Sequence, residues 1–130
     1  MPAMDNEQTI RSLAGLRMAV GTSAWATPRL AGKAFGLNSD DNPQSPYLAR
    51  LFGIRDVALA LGVLTTTGAS RRHWLTLGVM CDAADAAAGI FAGRGGYLPK
   101  VPTVLVTGVA LAAAGLGAAA LAAGDDGATA

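Results

Sequence analysis

Four apolar stretches divide this chain of 130 residues, and the two middle stretches carry ionisable side chains near their centres. The second stretch contains Arg55 and Asp56, and the third contains Asp82 and Asp85. A charge at the centre of a bilayer costs roughly 2.5–3.5 kcal/mol on insertion scales, so such residues normally face the inside of a helix bundle and pair there. The pattern therefore predicts an integral membrane protein whose charged residues meet in its interior.

The apolar stretches are close to the length of membrane-spanning helices, which need about 20 residues. Arg17 interrupts the first stretch, whereas the fourth contains no charge. A short helix at 28–35 is expected to lie along the membrane surface after the first span. We predict an all-α fold, a bundle of four transmembrane helices in a single membrane domain over 1–130. The expected helices lie at about 12–27, 47–67, 73–92 and 101–123, with a disordered tail at 124–130.

The connections support the same count. Residues 68–72 predict a tight connection that folds the second and third helices as an antiparallel hairpin. Aromatic residues stand near the predicted helix ends, where amphipathic rings prefer the level of the lipid headgroups. Small residues recur at four-residue spacing and favour close helix contacts. The aromatic residues are Trp25, Tyr47, Trp74 and Tyr97, and the small pairs are Ala58/Gly62, Gly89/Gly93, Gly108/Ala112 and Gly115/Ala119.

Composition also favours lipid as the solvent. Only 15% of the residues are charged, whereas a soluble domain has about 25%. The formal net charge is +1 and there is no basic patch, so nucleic acid is not an expected partner. The single cysteine, Cys81, excludes an intramolecular disulfide and a multi-cysteine metal site, and the single histidine, His73, excludes bis-histidine haem ligation within one chain. We therefore predict neither a cofactor nor a bound metal.

The charged residues of the helices are expected to form one cluster. In a hairpin centred on Ser70, Arg55 and Asp85 are equidistant from the connection, and Asp82 shares a helix face with Asp85. One arginine has the planar geometry to bridge both aspartates. Arg17 falls at a depth comparable to that of Arg55. The candidate functional site is therefore a buried cluster with one net negative charge when every member is ionised: Arg17, Arg55, Asp56, Asp82 and Asp85.

The sequence YLARLFGIRDVALALGVL, with TPRLAGKAFGL before it and RRHWLTLGVMCDAADAAAGI after it, resembles a group of small actinobacterial membrane proteins known only as a domain of unknown function. The pattern of that group is RxFGxRDxxLG followed by a DxxD helix, and the resemblance covers most of 13–123. It implies a four-helix fold in the bacterial plasma membrane and supplies no activity. The matching positions are Pro28, Phe35, Gly36, Arg50, Phe52, Gly53, Arg55, Asp56, Gly62, Asp82 and Asp85.

Three functions fit these residues. The absence of a catalytic motif favours a structural, accessory or self-associating membrane subunit, with the lipid bilayer and either further copies or a larger membrane complex as its partners. The alternative is a proton-coupled carrier of hydrophobic or cationic compounds, in which Asp82 or Asp85 exchanges protons. The third is an enzyme acting on a lipid-soluble substrate, with Asp82 or Asp85 as general base and Arg55 orienting it. Tight pairing within the cluster would favour the first function, and a roomy polar cavity would favour the others.

Overall fold

The computed structural model describes residues 5–124, which form five α-helices and no strand. The predicted all-α fold is therefore confirmed for the described part of the chain. Of the predicted disordered tail at 124–130, only Gly124 lies among the described residues. The helices are α1 (Asn6–Ala26), α2 (Pro28–Ala34), α3 (Ser45–Thr65), α4 (Gly68–Arg94) and α5 (Lys100–Ala123).

Helix α1 begins before its apolar stretch because its polar flank supplies a complete cap. The Asp5 side chain accepts a hydrogen bond from the Gln8 backbone N–H at 2.7 Å. In return, the Gln8 side chain accepts from the Asp5 backbone N–H at 3.4 Å. This capping box satisfies donors that the first helical turn leaves unpaired. The apolar stretch predicted from about residue 12 is thus the continuation of a helix that starts at Asn6.

The connection between α3 and α4 is shorter than the sequence predicts. A connection at 68–72 is wrong, since α4 begins at Gly68 and only Thr66 and Thr67 separate the two helices. Gly68 has φ +59°, a conformation that favours glycine and that turns the chain sharply. The polar residues after Gly68 continue the helix instead of forming a loop.

The arginines in the first turns of α4 explain why this polar stretch is helical. Arg71 donates from Nε to the carbonyl of Val63 at 3.0 Å, near the end of α3. Arg72 donates from Nη1 to the carbonyl of Leu121 at 3.2 Å, near the end of α5. Cations are favourable at helix C-termini, where carbonyl groups lack intrahelical donors. The two arginines therefore join three helix ends at one end of the bundle.

The four long helices run alternately up and down, with antiparallel neighbours. Helices α1 and α3 cross at Gly21 and Gly53, where a Cβ on either glycine would lie 2.6 Å from the carbonyl oxygen of the other. Helices α4 and α5 approach closely at Gly89 and Gly93, which face the side chains of α5. Contacts between these two helix pairs are less extensive than contacts within them. The bundle is therefore built from an α1/α3 pair and an α4/α5 pair.

The first and last described helices end together. Asn6 donates from Nδ2 to the carbonyl of Gly124 at 2.8 Å, so the start of α1 touches the end of α5. Helix α2 lies at the opposite end, where Gly36 (φ +83°) ends it and packs against Leu98 and Pro102. This end also contains the connection from α4 to α5.

Many large apolar side chains lie on the outside, and three charged residues of the cluster, Arg17, Asp56 and Asp82, are buried. The exposed fraction is 72% for Leu30, 69% for Phe91 and 70% for Val101, whereas it is 3% for both Arg17 and Asp82. Buried charges together with so many exposed large apolar side chains are unusual in a water-soluble domain. Among the predicted interfacial aromatics, Trp25, Tyr47 and Tyr97 are exposed, but Trp74 packs between helices against Gly62.

The small residues that recur at four-residue spacing fall into two groups, those in close contact with another helix and those without such a contact. Gly62, Gly89 and Gly93 have close neighbours on other helices, as the four-residue spacing predicts. Gly108 and Gly115 have no atom of another element within 4 Å of an added Cβ, so this stripe of α5 forms no close contact within residues 5–124.

Two of the helices, Gly68–Arg94 and Lys100–Ala123, are long and apolar enough to cross a membrane. Helix α3 is as long as a span, but every 18-residue segment of it contains Arg50, Arg55 and Asp56, which exceeds the two charges that this criterion allows. Helix α1 also fails to meet the criterion. The fold is therefore a helical bundle with two candidate spans, and the predicted four spans are taken up below as a proposal.

Candidate functional site

The most buried part of the predicted cluster is an ion pair between α1 and α4. Arg17 donates from Nη1 to Oδ1 of Asp82 at 3.0 Å and from Nη2 to Oδ2 at 2.6 Å. The side chains are 4% and 5% exposed. Two parallel charge-assisted hydrogen bonds fix both position and orientation, because the planar guanidinium matches the carboxylate. This pair holds α1 and α4 at one register.

Gly78 makes room for that pair. It lies one turn before Asp82, and an added Cβ would stand 2.6 Å from Nη2 of Arg17. The guanidinium therefore lies directly across the α4 backbone, and any side chain at this position would require it to shift. The sequence analysis did not single out Gly78. Its position four residues before Asp82, on the same helix face, is the signal that points to it.

A second bidentate pair joins α3 and α4. Arg55 donates from Nη1 to Oδ1 of Asp85 at 3.2 Å and from Nη2 to Oδ2 at 2.5 Å. The side chains are 35% and 26% exposed, so this pair is more open than the first. The Arg55 guanidinium also stands 4.8 Å from the ring centroid of Phe52, within the range of a cation–π contact. The pairing agrees with the equal distances of Arg55 and Asp85 from the connection.

The expectation that one arginine bridges both aspartates is wrong. Each aspartate has its own arginine, because Arg17 enters from α1 and occupies both oxygens of Asp82. Arg55 is thereby left to Asp85 alone.

Asp56 occupies a different position within the cluster. Its Oδ1 lies 3.9 Å from Nη1 of Arg17 and 3.7 Å from Nη2 of Arg55, and it hydrogen-bonds to neither. Within the described residues its carboxylate accepts no hydrogen bond, although the residue is only 6% exposed. Asp56 is thus buried beside two guanidinium groups whose terminal nitrogens hydrogen-bond to Asp82 and to Asp85.

The cluster joins the two halves of the bundle. The α1/α3 pair supplies both arginines and Asp56, and α4 supplies Asp82 and Asp85. Both bidentate ion pairs cross from one helix pair to the other. Since contacts between the halves are otherwise less extensive, the charges are the strongest polar connection between them.

A cavity of about 320 Å³ lies beside the cluster, and all five helices contribute to its wall. Four members of the cluster reach it, namely Arg17, Asp56, Asp82 and Asp85. The remaining wall consists of apolar side chains and glycine. The residues from α2, the two connections and α5, which the sequence did not predict at the site, are Ala31, Gly32, Phe35, Leu37, Leu98, Val106, Val109, Ala110 and Ala113.

No group of three or more His, Cys, Asp or Glu side chains in residues 5–124 is arranged to hold a metal ion. The cluster itself illustrates the reason, because both oxygens of Asp82 and of Asp85 accept hydrogen bonds from arginine. Metal ligation at either aspartate would require its arginine to leave.

A third ion pair lies at the opposite end of the bundle from α2. Arg71 donates from Nη1 to Oε2 of Glu7 at 3.0 Å, beside a cavity of about 300 Å³ that Arg72 and Gly124 also line. The hydrogen bond from Arg71 holds the pKa of the Glu7 carboxyl below its usual value. This pair is solvent-exposed, with side chains 18% and 48% exposed.

No family model matches the chain, and comparisons with curated proteins and with solved structures give no match either. The resemblance to small actinobacterial membrane proteins stays a prediction that depends on the residues named for it. Function therefore has to be inferred from the cluster, the cavity and the outer surface.

Proposed function

We propose that this chain is a four-span integral membrane protein of the bacterial plasma membrane, a non-enzymatic structural or accessory subunit in which the Arg–Asp cluster fixes how two helix pairs meet. The observation that carries the proposal is the pair of bidentate ion pairs, Arg17–Asp82 and Arg55–Asp85, that cross between the halves. Buried charged pairs specify register, because a slipped arrangement would leave a charge unpaired.

The distribution of side chains supports a membrane location. In water, exposing Leu30, Phe91 and Val101 while burying Arg17 and Asp82 would be unfavourable on both counts. In lipid, apolar side chains face a matching solvent, and charged side chains have reason to face each other. The same arrangement thus places apolar side chains against lipid and lets charged side chains pair with each other.

Helix length supports four spans over two. Helices α1 and α3 each have 21 residues, which gives about 31 Å at 1.5 Å per residue. The hydrocarbon core of a bilayer is about 30 Å thick. Both helices also lie antiparallel to their neighbours, alongside the two helices that meet the criterion for spans. Arg17 and Arg55, the arginines nearest the middle of these helices, pair inward with Asp82 and Asp85. The other charges of the two helices, Glu7, Arg11 and Arg50, lie nearer the helix ends, where headgroups and water are within reach.

The geometry weighs against the enzyme and against a carrier that exchanges protons at Asp82 or Asp85. A general base needs an accessible carboxylate oxygen, and each of these aspartates accepts two hydrogen bonds from arginine.

The cavity favours a second candidate function, binding or carriage of a small hydrophobic compound, because it is large enough for a ligand and mostly apolar.

Cysteine labelling tests the four spans. In a Cys81→Ser background, single cysteines at Ala3, Asn42, Tyr97 and Ala128 are labelled with a membrane-impermeant maleimide in oriented vesicles. Four spans place positions 3 and 128 on one side and positions 42 and 97 on the other. Two spans, formed by α4 and α5 alone, would place position 42 with positions 3 and 128. Asn42 is therefore the deciding position, and its labelling together with Ala128 would overturn the four-span proposal.

A further inference from the structure

We propose that the cavity beside the cluster binds a small hydrophobic monocation, with its charged group against Asp56 and its apolar body against α5 and the end of α2. This site goes beyond the structural role of the ion pairs. It uses the one member of the cluster that those pairs leave without a hydrogen bond.

Asp56 is the carboxylate that is available to a ligand. Asp82 and Asp85 each accept two hydrogen bonds from an arginine, whereas Asp56 stands 3.7 Å or more from the nearest guanidinium nitrogen. Asp56 is 6% exposed, and it lines the cavity. A buried carboxylate without a hydrogen bond is costly, so a donor or a cation that enters the cavity gains a favourable partner there.

The charge of the cluster selects the sign of the ligand. Two guanidinium groups face three carboxylates, and Asp82 and Asp85 balance the two arginines. When all three carboxylates are ionised, Asp56 therefore carries the surplus charge. One positive charge in the cavity would bring the cluster to neutrality, whereas an anion would add a second unbalanced charge in apolar surroundings. The geometry therefore points to a monocation over an anion or a dication.

The cavity wall selects a hydrophobic body. Val106, Val109 and Ala110 of α5 face the cluster across the cavity, and Phe35 and Leu98 close the end near α2. None of these side chains carries a polar atom. The volume of about 320 Å³ is at the lower end of the range of about 300–1,000 Å³ for ligand pockets. A compact amine with an aliphatic or aromatic body fits these walls.

Binding of adamantan-1-amine, which is a cation at neutral pH, tests the site with adamantan-1-ol as a neutral compound of almost the same shape. Radiolabelled probes are equilibrated with the full chain in lipid nanodiscs, and empty nanodiscs of the same lipid measure partitioning. We expect the wild-type protein to bind the amine at least tenfold more tightly than the alcohol. Equal affinities for the two probes would overturn charge recognition, and this comparison requires no variant.

Three variants place the recognition at Asp56 and in the cavity. Asp56→Asn removes the charge with little change in shape, and it should weaken amine binding at least tenfold while leaving alcohol binding unchanged. Asp40→Asn removes an exposed acidic group of the connection before α3 and should change neither. Ala110→Leu fills part of the cavity and should weaken both probes. Unchanged amine binding in Asp56→Asn, or in Ala110→Leu, would overturn the proposal.

The site depends on the cavity and Asp56 and not on the number of membrane crossings. Labelling at Asn42 and binding of the amine can therefore fail independently, so a wrong topology and a wrong ligand site are distinguishable.

Discussion

Two ion pairs of this chain, each with two hydrogen bonds from an arginine to a carboxylate, have very different surroundings. Arg17–Asp82 lies in the middle of the bundle with side chains 4% and 5% exposed, whereas Arg71–Glu7 lies at its end with side chains 18% and 48% exposed. Their shortest nitrogen–oxygen distances are 2.6 Å and 3.0 Å. The comparison separates the contribution of a contact from the contribution of its burial.

Burial changes what is lost when one partner is removed. At the exposed end, water replaces the missing partner, and measured contributions of such pairs are about 0–1 kcal/mol. In the interior the side chains are 4% and 5% exposed, so the remaining charge has little access to water and is left largely without compensation. Loss of a charged partner is therefore expected to have small consequences at Glu7 and large ones at Arg17.

The largest effect is expected for Arg17→Leu. This change leaves the buried carboxylate of Asp82 unpaired and should lower the free energy of unfolding by about 3–5 kcal/mol. The double variant Arg17→Leu/Asp82→Leu removes both charges and should recover part of that loss. Equilibrium unfolding in mixed detergent micelles, with increasing denaturing detergent, measures both. Additive losses would mean that the two residues do not interact.

Arg55→Leu gives an intermediate case. Its pair with Asp85 is also bidentate, but the side chains are 35% and 26% exposed, so the remaining carboxylate keeps some access to polar surroundings. The expected loss is about 1.5–3 kcal/mol, the range for hydrogen bonds to charged groups. The same unfolding assay orders the two arginines. A loss equal to or larger than that of Arg17→Leu would contradict burial as the deciding factor.

The sequence predicts the Arg55–Asp85 pair but not the Arg17–Asp82 pair, and the difference has a physical reason. Arg55 and Asp85 lie on helices joined by a short connection, so counting residues from that connection is sufficient to place them at one level. Arg17 and Asp82 are 65 positions apart, and their contact depends on how α1 rotates and crosses the bundle. Sequence periodicity gives the members of the cluster, but only packing distributes the arginines among the carboxylates.

The ends of the helices, like the ion pairs, were only partly predictable from the sequence. The apolar stretches predict four long helices, but hydrophobicity alone does not show that α1 starts at Asn6 or that Arg71 and Arg72 belong to α4. The helices extend into these polar segments because the side chains of Asp5, Gln8, Arg71 and Arg72 hydrogen-bond to backbone groups. The cavity was also beyond prediction, since five separate helices contribute to its wall.

Gly78→Ala tests the fit of Arg17 on α4 and should have a smaller effect. The added methyl would stand 2.6 Å from Nη2 of Arg17 and displace the guanidinium from Asp82. Overpacking typically costs about 1–3 kcal/mol, and the better helix propensity of alanine offsets part of it. Gly108→Ala is the matched control, because no atom of another element lies within 4 Å of its added methyl. The control should be neutral or stabilising, and an equal loss in both variants would remove the special role of Gly78.

The smallest effect is expected at the exposed pair, where pH supplies a direct test. Because the hydrogen bond from Arg71 lowers the pKa of Glu7 in the folded chain, this carboxyl stabilises the fold above its usual pKa. That contribution is lost as the pH falls from the usual value of 4.5 through the lower pKa of the folded state. Wild type should therefore exceed Glu7→Gln in stability by less than about 1 kcal/mol at neutral pH, and the difference should vanish once the pH lies below the lowered pKa of the folded state.

Salt then separates the exposed pair from the buried one. At about 1 M NaCl the Debye length is about 3 Å, so mobile ions screen Arg71 and Glu7 even at neutral pH. The difference between wild type and Glu7→Gln should shrink accordingly in a thermal unfolding assay. The side chains of Arg17 and Asp82 are 4% and 5% exposed, so salt screens them much less, and the loss caused by Arg17→Leu should change little in high salt. Equal salt sensitivity of the two pairs would place water at the centre of the bundle, and the buried cluster would then be a hydrated site instead of a dry connection between helix pairs.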